Sequence, residues 1–268
     1  MKKLSIFAVA FAAVLFAACT GNKSANNAEE TDSLKSFEQE QIELSIKMHF
    51  DSIASELSKL KQPDFLKEEG NTITLSKEEK QVKPDYLLPA SIAEEATTLA
   101  EKYRILSALT IDKAIAKLYE MPTEDYEKAI AKLAADINDP SFKAVEKTDD
   151  IYKTTSDLYD AMNENGRINY FWQLAAASLV EELYIVNQNS DKFLSTFNDD
   201  AAANVTFRIV LILDAMDRLS QYDTEIQPVA EAVAPLNALN ATTVDELKSQ
   251  LAEAKDKIDN ARKALIKE

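Results

Sequence analysis

Apolar residues recur at intervals of three and four along most of the chain, and this spacing limits the available folds more than any other feature. Ile42, Ile46, Phe50, Ile53, Leu57 and Leu60 fall on one face of a helix over Ser33–Gln62, because 3.6 residues per turn stack such positions on one side. Pro63 ends it, since proline has no N–H to donate and crowds the preceding turn. The rhythm returns at Ala90 with Ile92, Ala96, Leu99, Tyr103 and Leu106. Residues 112–118 (DKAIAKL) and 127–133 (EKAIAKL) repeat one face on either side of Met121-Pro122. The offset is too short for a solenoid unit and predicts two short helices with similar faces. Thr123 is placed to cap the second, with Glu124 and Asp125 at the positive end of its dipole. Another helix is expected over Asp149–Asn163, ending near Gly166.

The most apolar part follows. Trp172, Ala176, Leu179, Leu183 and Val186 form one stripe, and Val205–Leu219, containing FRIVLIL, is apolar nearly all round. That predicts a central helix covered on most sides. Thr243 and Glu246 make a capping-box pair. Leu247, Leu251, Ala254, Ile258, Ala261 and Leu265 then alternate steps of four and three. This seam is shorter than a sustained coiled coil needs, so it predicts packing along the parent bundle. Only between Pro63 and Pro89 does the pattern lapse; Thr72–Leu75 alternates as a strand would, and Gln81–Lys83 could pair with it. With three glycines in 268 residues, tight turns are few. The expectation is all-α: an up-and-down bundle of about seven to nine helices over 33–268, with one irregular or hairpin-like segment near 63–89 and a subdivision allowed near residue 166.

The first residues carry a different message. Lys2 and Lys3 precede an unbroken apolar run from Ile6 to Ala18, and Cys19, the only cysteine, follows directly. The run is short for a bilayer span and has the charge and small-residue ending of a secretory signal peptide. Phe16-Ala17-Ala18-Cys19 resembles the lipobox of bacterial lipoproteins of the Bacteroidota type, with Phe16 where leucine is usual and Leu15 one place earlier. The resemblance implies that 1–18 is cleaved as a signal peptide. It also implies that the thiol of Cys19 carries diacylglycerol, with fatty acid such as palmitate, and anchors the chain to the outer membrane. Two or more acyl chains make such attachment durable, at about 0.8 kcal/mol per buried methylene. Residues 19–32 have almost no large apolar side chain and should form a flexible tether. Acidic residues first appear at Glu29 and Glu30. In these lipoproteins acids just after the cysteine mark surface export, so their distance here implies a periplasm-facing anchor. Beyond the leader the chain resembles all-helical lipoproteins of the same group, and that likeness carries no catalytic residue over.

The charge excludes some partners. Thirty basic residues face 46 acidic ones, a net charge of −16, and loss of Lys2 and Lys3 with the leader makes it more negative. Nucleic acid is repelled, because binding it requires Lys and Arg to neutralise phosphates.

Chemistry is sparse too. His49 is the only histidine, so zinc sites built on several imidazoles cannot form. Its place between Ile46 and Ile53 reads as core packing rather than part of a Ser-His-Asp triad. No glycine spacing suits a phosphate-cradling loop. Glu181 with Glu182, Asp199 with Asp200, and Asp214 with Asp217 could bind calcium or act as acid and base, but no D-x-D-x-D-G loop appears. Asp214 and Asp217 share a helix face, with Arg208 on the same helix, and solvated surface or an internal ion pair accounts for these acids. Tyr170, Phe171 and Trp172 are candidates for an inter-helix ligand groove; as structure they are the aromatic end of a core helix. Ser33 (in Asp32-Ser33-Leu34) and Ser52 (in Asp51-Ser52-Ile53) match the short D-S-aliphatic pattern of O-glycosylation in exported Bacteroidota proteins.

The expected function is that of a non-enzymatic envelope lipoprotein, tethered to the membrane through lipid, without cofactor or metal. It acts as a helical scaffold or binds another envelope protein. Small-ligand binding near Tyr170 and Trp172 is the alternative. A hydrolase built on carboxylates ranks last, because it needs acids from different helices converging in a cleft with perturbed pKa values.

Overall fold

The computed structural model describes residues 44–60, 73–142 and 151–266. Cys19, Ser33, the leader and the tether lie outside them, as does Thr72 of the strand candidate. The chain divides into two compact units, Met1–His49 and Phe50–Glu268. Of the first, residues 44–49 are described and are helical; His49 there is neither fully buried nor fully exposed.

Among the described residues there are eleven helices, nine of seven residues or more, and no strand. The fold is an all-α helical bundle. Helix α1 covers residues 44–58, and within the second unit its Phe50, Ile53, Ala54 and Leu57 are buried. Then come α2 (Lys77–Gln81), α3 (Leu99–Leu118), α4 (Glu124–Ile137), α5 (Ile151–Glu164) and α6 (Ile168–Gln188). After a single turn, α7 (Ser190–Phe193), the chain continues through α8 (Asp199–Ser220) and α9 (Gln227–Val233) to α10 (Val244–Glu253) and α11 (Lys255–Ile266).

Helix α6 is the axis of the bundle. Its Trp172, Ala176, Leu179, Leu183 and Val186 stripe is buried throughout, and it packs against α3, α5, α8, α10 and α11. The central position expected for the Val205–Leu219 region thus belongs to α6. Helix α8 buries Ile209, Ile212, Ala215, Met216 and Leu219 but leaves Phe207 and Val210 more than two-fifths exposed. A run of apolar residues says that a helix is sticky, not how many neighbours it has.

The ends follow capping chemistry. Thr98 and Ser76 form reciprocal boxes with Glu101 and Glu79, which fill orphan N–H groups. Thr243 accepts from the Glu246 N–H, but the Glu246 carboxylate turns back to the N–H and hydroxyl of Thr242, one residue earlier. Thr123 makes no capping bond; its hydroxyl donates to Glu127 instead. Gly166, at φ +67°, closes α5, with the Arg167 N–H reaching the Met162 carbonyl at 2.7 Å. That left-handed turn favours a residue without Cβ.

Three expectations need revision. The hairpin over 72–83 is absent among the described residues: 73–76 is irregular and Lys77–Gln81 is a helix. The alternation survives as burial, with Ile73 and Leu75 inside and Thr74 outside. The segment 112–118 is the last third of the twenty-residue α3, not a separate helix. The seam after Thr243 is fully buried, yet it runs through two helices with a break at Ala254.

Candidate functional site

The aromatic candidates sit in packed surroundings. Trp172 is fully buried and Phe171 nearly so. Their rings meet edge to face at 5.1 Å, and Tyr159 and Phe50 contact the same cluster. Tyr170 is half-buried and stacks on Tyr103 at 4.8 Å. Tyr103 donates to Asp139, and Arg167 donates to the Tyr103 hydroxyl at 3.1 Å. Burial opposes ionisation of Asp139, but the Tyr103 hydroxyl and the Ser141 N–H outweigh it and hold the carboxyl below the usual aspartate value. The trio joins the core on one side and this polar latch on the other. Ser52 is exposed on α1.

The acidic candidates separate. Glu181 and Glu182 are both buried but point to different partners. Arg208 of α8 pairs with Glu182, which Ser178 also approaches at 3.1 Å. Burial raises the Glu182 pKa, and Arg208 opposes that shift. Asp199 accepts from the Val244 N–H at 3.0 Å. Asp214 pairs with Arg218 one turn on at 3.2 Å, while the Arg208 guanidinium goes to Glu182.

Sequence reasoning missed a third set, centred on Asp112 of α3. Asp112 and Glu181 are each fully buried. The Arg262 guanidinium of α11 grips Glu181 with two hydrogen bonds, at 2.8 and 3.0 Å. It also lies 3.9 Å over the Tyr184 ring and donates to the Tyr86 carbonyl. Asp112 accepts the Leu88 N–H at 2.9 Å, while the Tyr126 hydroxyl donates to the Leu88 carbonyl at 2.7 Å. Irregular residues 82–89 are thereby strapped to three helices. Burial first, then the negative charge of Glu181, push Asp112 well above the usual carboxylate range. The other Asp112 oxygen finds no donor among the described residues; a proton kept there would let it donate to Glu181. The sequence signal was available: Asp112 and Arg262 both sit beside apolar stripe positions, where a charge requires a partner.

Asp112 and Glu181 are sealed from solvent. No group of three or more His, Cys, Asp or Glu able to hold a metal occurs among the described residues, and no described helix is long and apolar enough to cross a membrane.

The outer surface offers a groove. Helix α8 contributes Val210, Leu213, Asp214 and Asp217, and α9 contributes Ala230 and Glu231, around a cavity of about 730 Å³. Phe207, one turn before Val210 on α8, is exposed as well. Val210 and Leu213 make part of its wall apolar, and Asp217 and Glu231 make part of it acidic. Much of the wall is exposed, so the groove is a shallow trough rather than an enclosed chamber. An arrangement like this can bind an extended surface; it has no buried reactive group aimed into it. A second depression, of about 310 Å³, lies between α3 and α6 with Leu106, Ile111, Leu174 and Glu182 in its wall.

Compared with protein families, with curated proteins and with solved structures, the chain matches none.

Proposed function

We propose that this chain is a non-enzymatic module of a bacterial cell envelope, held to the outer membrane by lipid on Cys19, whose helical body binds an envelope protein through the α8–α9 groove. The observation that carries the reading is the exposed apolar pair Phe207 and Val210 on α8, the second of them in the groove wall, where most other large apolar side chains among the described residues are buried. Contiguous apolar surface rimmed by polar groups is what protein contact sites have in common. The tether implied by the lipobox would hold the folded part about 20 Å from the bilayer, at 5–6 Å times the square root of residue number. The ligand-groove alternative draws less support, because Phe171 and Trp172 have almost no accessible surface to offer.

The test uses the full chain in its native host. A photoreactive amino acid at Val210 should give one discrete protein adduct, and the same group at Glu127, exposed on α4, should not. Cys19→Ala should release the chain from the membrane fraction and abolish the adduct. Equal labelling from both positions would sink the groove assignment; membrane attachment without Cys19 would sink the anchor.

A further inference from the structure

The α8–α9 groove is polarised along its length. Phe207, Val210, Asp214 and Asp217 follow one another at intervals of three and four on the outer face of α8. At 1.5 Å per residue the apolar end and the acidic end are about 15 Å apart. On the opposite wall Glu231 of α9 adds a second acid. Asp214 is engaged by Arg218. Asp217 and Glu231 have no cationic partner among the described residues; Glu231 accepts only an amide hydrogen bond from Gln227 at 3.0 Å.

We propose that the groove takes an amphipathic helix with a cationic flank, its apolar side chains seated against Phe207, Val210 and Leu213 and its Lys or Arg side chains reaching Asp217 and Glu231. This deepens the protein-binding reading above and rests on it. Charge decides among occupants. A second copy of this chain would bring its own −16 against the same acids, and nucleic acid or an anionic lipid surface would be repelled for the same reason. A small molecule would remain largely in water, whereas small-ligand sites bury most of the ligand surface. A helix laid in a groove reads i, i+3, i+4 and i+7 anchors, and the 15 Å polarity step matches about ten residues of such a helix. Apolar contact supplies the affinity; the acids set direction and association rate.

The test titrates the full lipidated chain in detergent with two synthetic helices of roughly 15–18 residues, four to five turns. They share one Leu/Ala face; one has Lys on its flanks and the other Glu. The Lys helix should bind and the Glu helix should not. Val210→Asp should weaken the Lys helix at least tenfold, and as an exposed position it leaves the core unchanged. Asp217→Lys with Glu231→Lys should weaken it similarly and let the Glu helix bind, a gain that no misfolded variant would give. Reversal of Glu94 and Asp125, exposed acids away from the groove, should change affinity less than twofold. Equal losses from those distant reversals, or no loss from Val210→Asp, would overturn the proposal as general attraction to an acidic protein. A native adduct at Val210 with no binding of the Lys helix would overturn this inference while leaving the broader function standing. Binding of the Lys helix with no native adduct would do the reverse.

Discussion

Asp112 on α3 and Glu181 on α6 stand side by side in the bundle interior, with one guanidinium, that of Arg262, clamped on Glu181. Two buried acids and one base leave a net negative charge if both acids ionise. Charge without water around it is strongly disfavoured, so Asp112 retains its proton well above the ordinary aspartate value. The folded chain then binds more protons than the unfolded one between those two pKa values. Stability from this group is full below the unfolded value and falls as pH rises through the folded one.

Asp112→Asn should remove that dependence. The amide keeps an oxygen for the Leu88 N–H and offers a permanent donor to Glu181. Urea titrations at a series of pH values above the ordinary aspartate value should show the wild type losing stability relative to the variant, by up to about 1.4 kcal/mol per pH unit for one proton. Parallel curves would contradict a proton held on Asp112.

Arg262→Met should be far more damaging than its helix-neutral character suggests. It takes the two-bond guanidinium countercharge away from the buried Glu181, a change that costs about 3–5 kcal/mol. Pairing it with Glu181→Gln should recover most of the loss, because the uncompensated charge disappears. Denaturant unfolding of the two single variants and the double variant measures the coupling; simple additivity would refute it.

Capping geometry separates three threonines that look alike in sequence. Thr98→Ala and Thr243→Ala each remove an acceptor for a first-turn N–H and should cost about 1 kcal/mol. Thr123→Ala should cost less than about 0.5 kcal/mol, as an exposed substitution without a cap to lose. Thermal or urea unfolding of the three side by side decides it.

Trp172 is the only tryptophan and is fully buried against Phe50, Tyr159 and Phe171. Its emission should be blue-shifted and resistant to acrylamide quenching until the bundle unfolds. Trp172→Ala should destabilise by about 3–5 kcal/mol through lost contacts and the cavity left behind. Ready quenching in the native state would mean an open aromatic cleft and would revive ligand binding beside Tyr170.

Much of the helical layout was legible because helices are local: the stripe from Trp172 to Val186 and the seam from Leu247 to Leu265 are written in spacing alone. Local signals also misled where two competed. The alternation through Ile73 and Leu75 suggested a strand, while Ser76 and Glu79 held a capping box that starts a helix. The groove was half legible; Asp214 and Asp217 stood out, but the exposure of Val210 did not.

By itself, the sequence determined the class of fold and many of the faces that turn inward, because hydrophobic period and residue type act within a few turns. Only tertiary structure decided that Glu181 meets Arg262, 81 residues away, that Glu182 meets Arg208, and that α6 rather than α8 lies at the centre. Those pairings depend on how helices are ordered in space, and a buried charge takes whatever partner that order delivers within hydrogen-bonding reach.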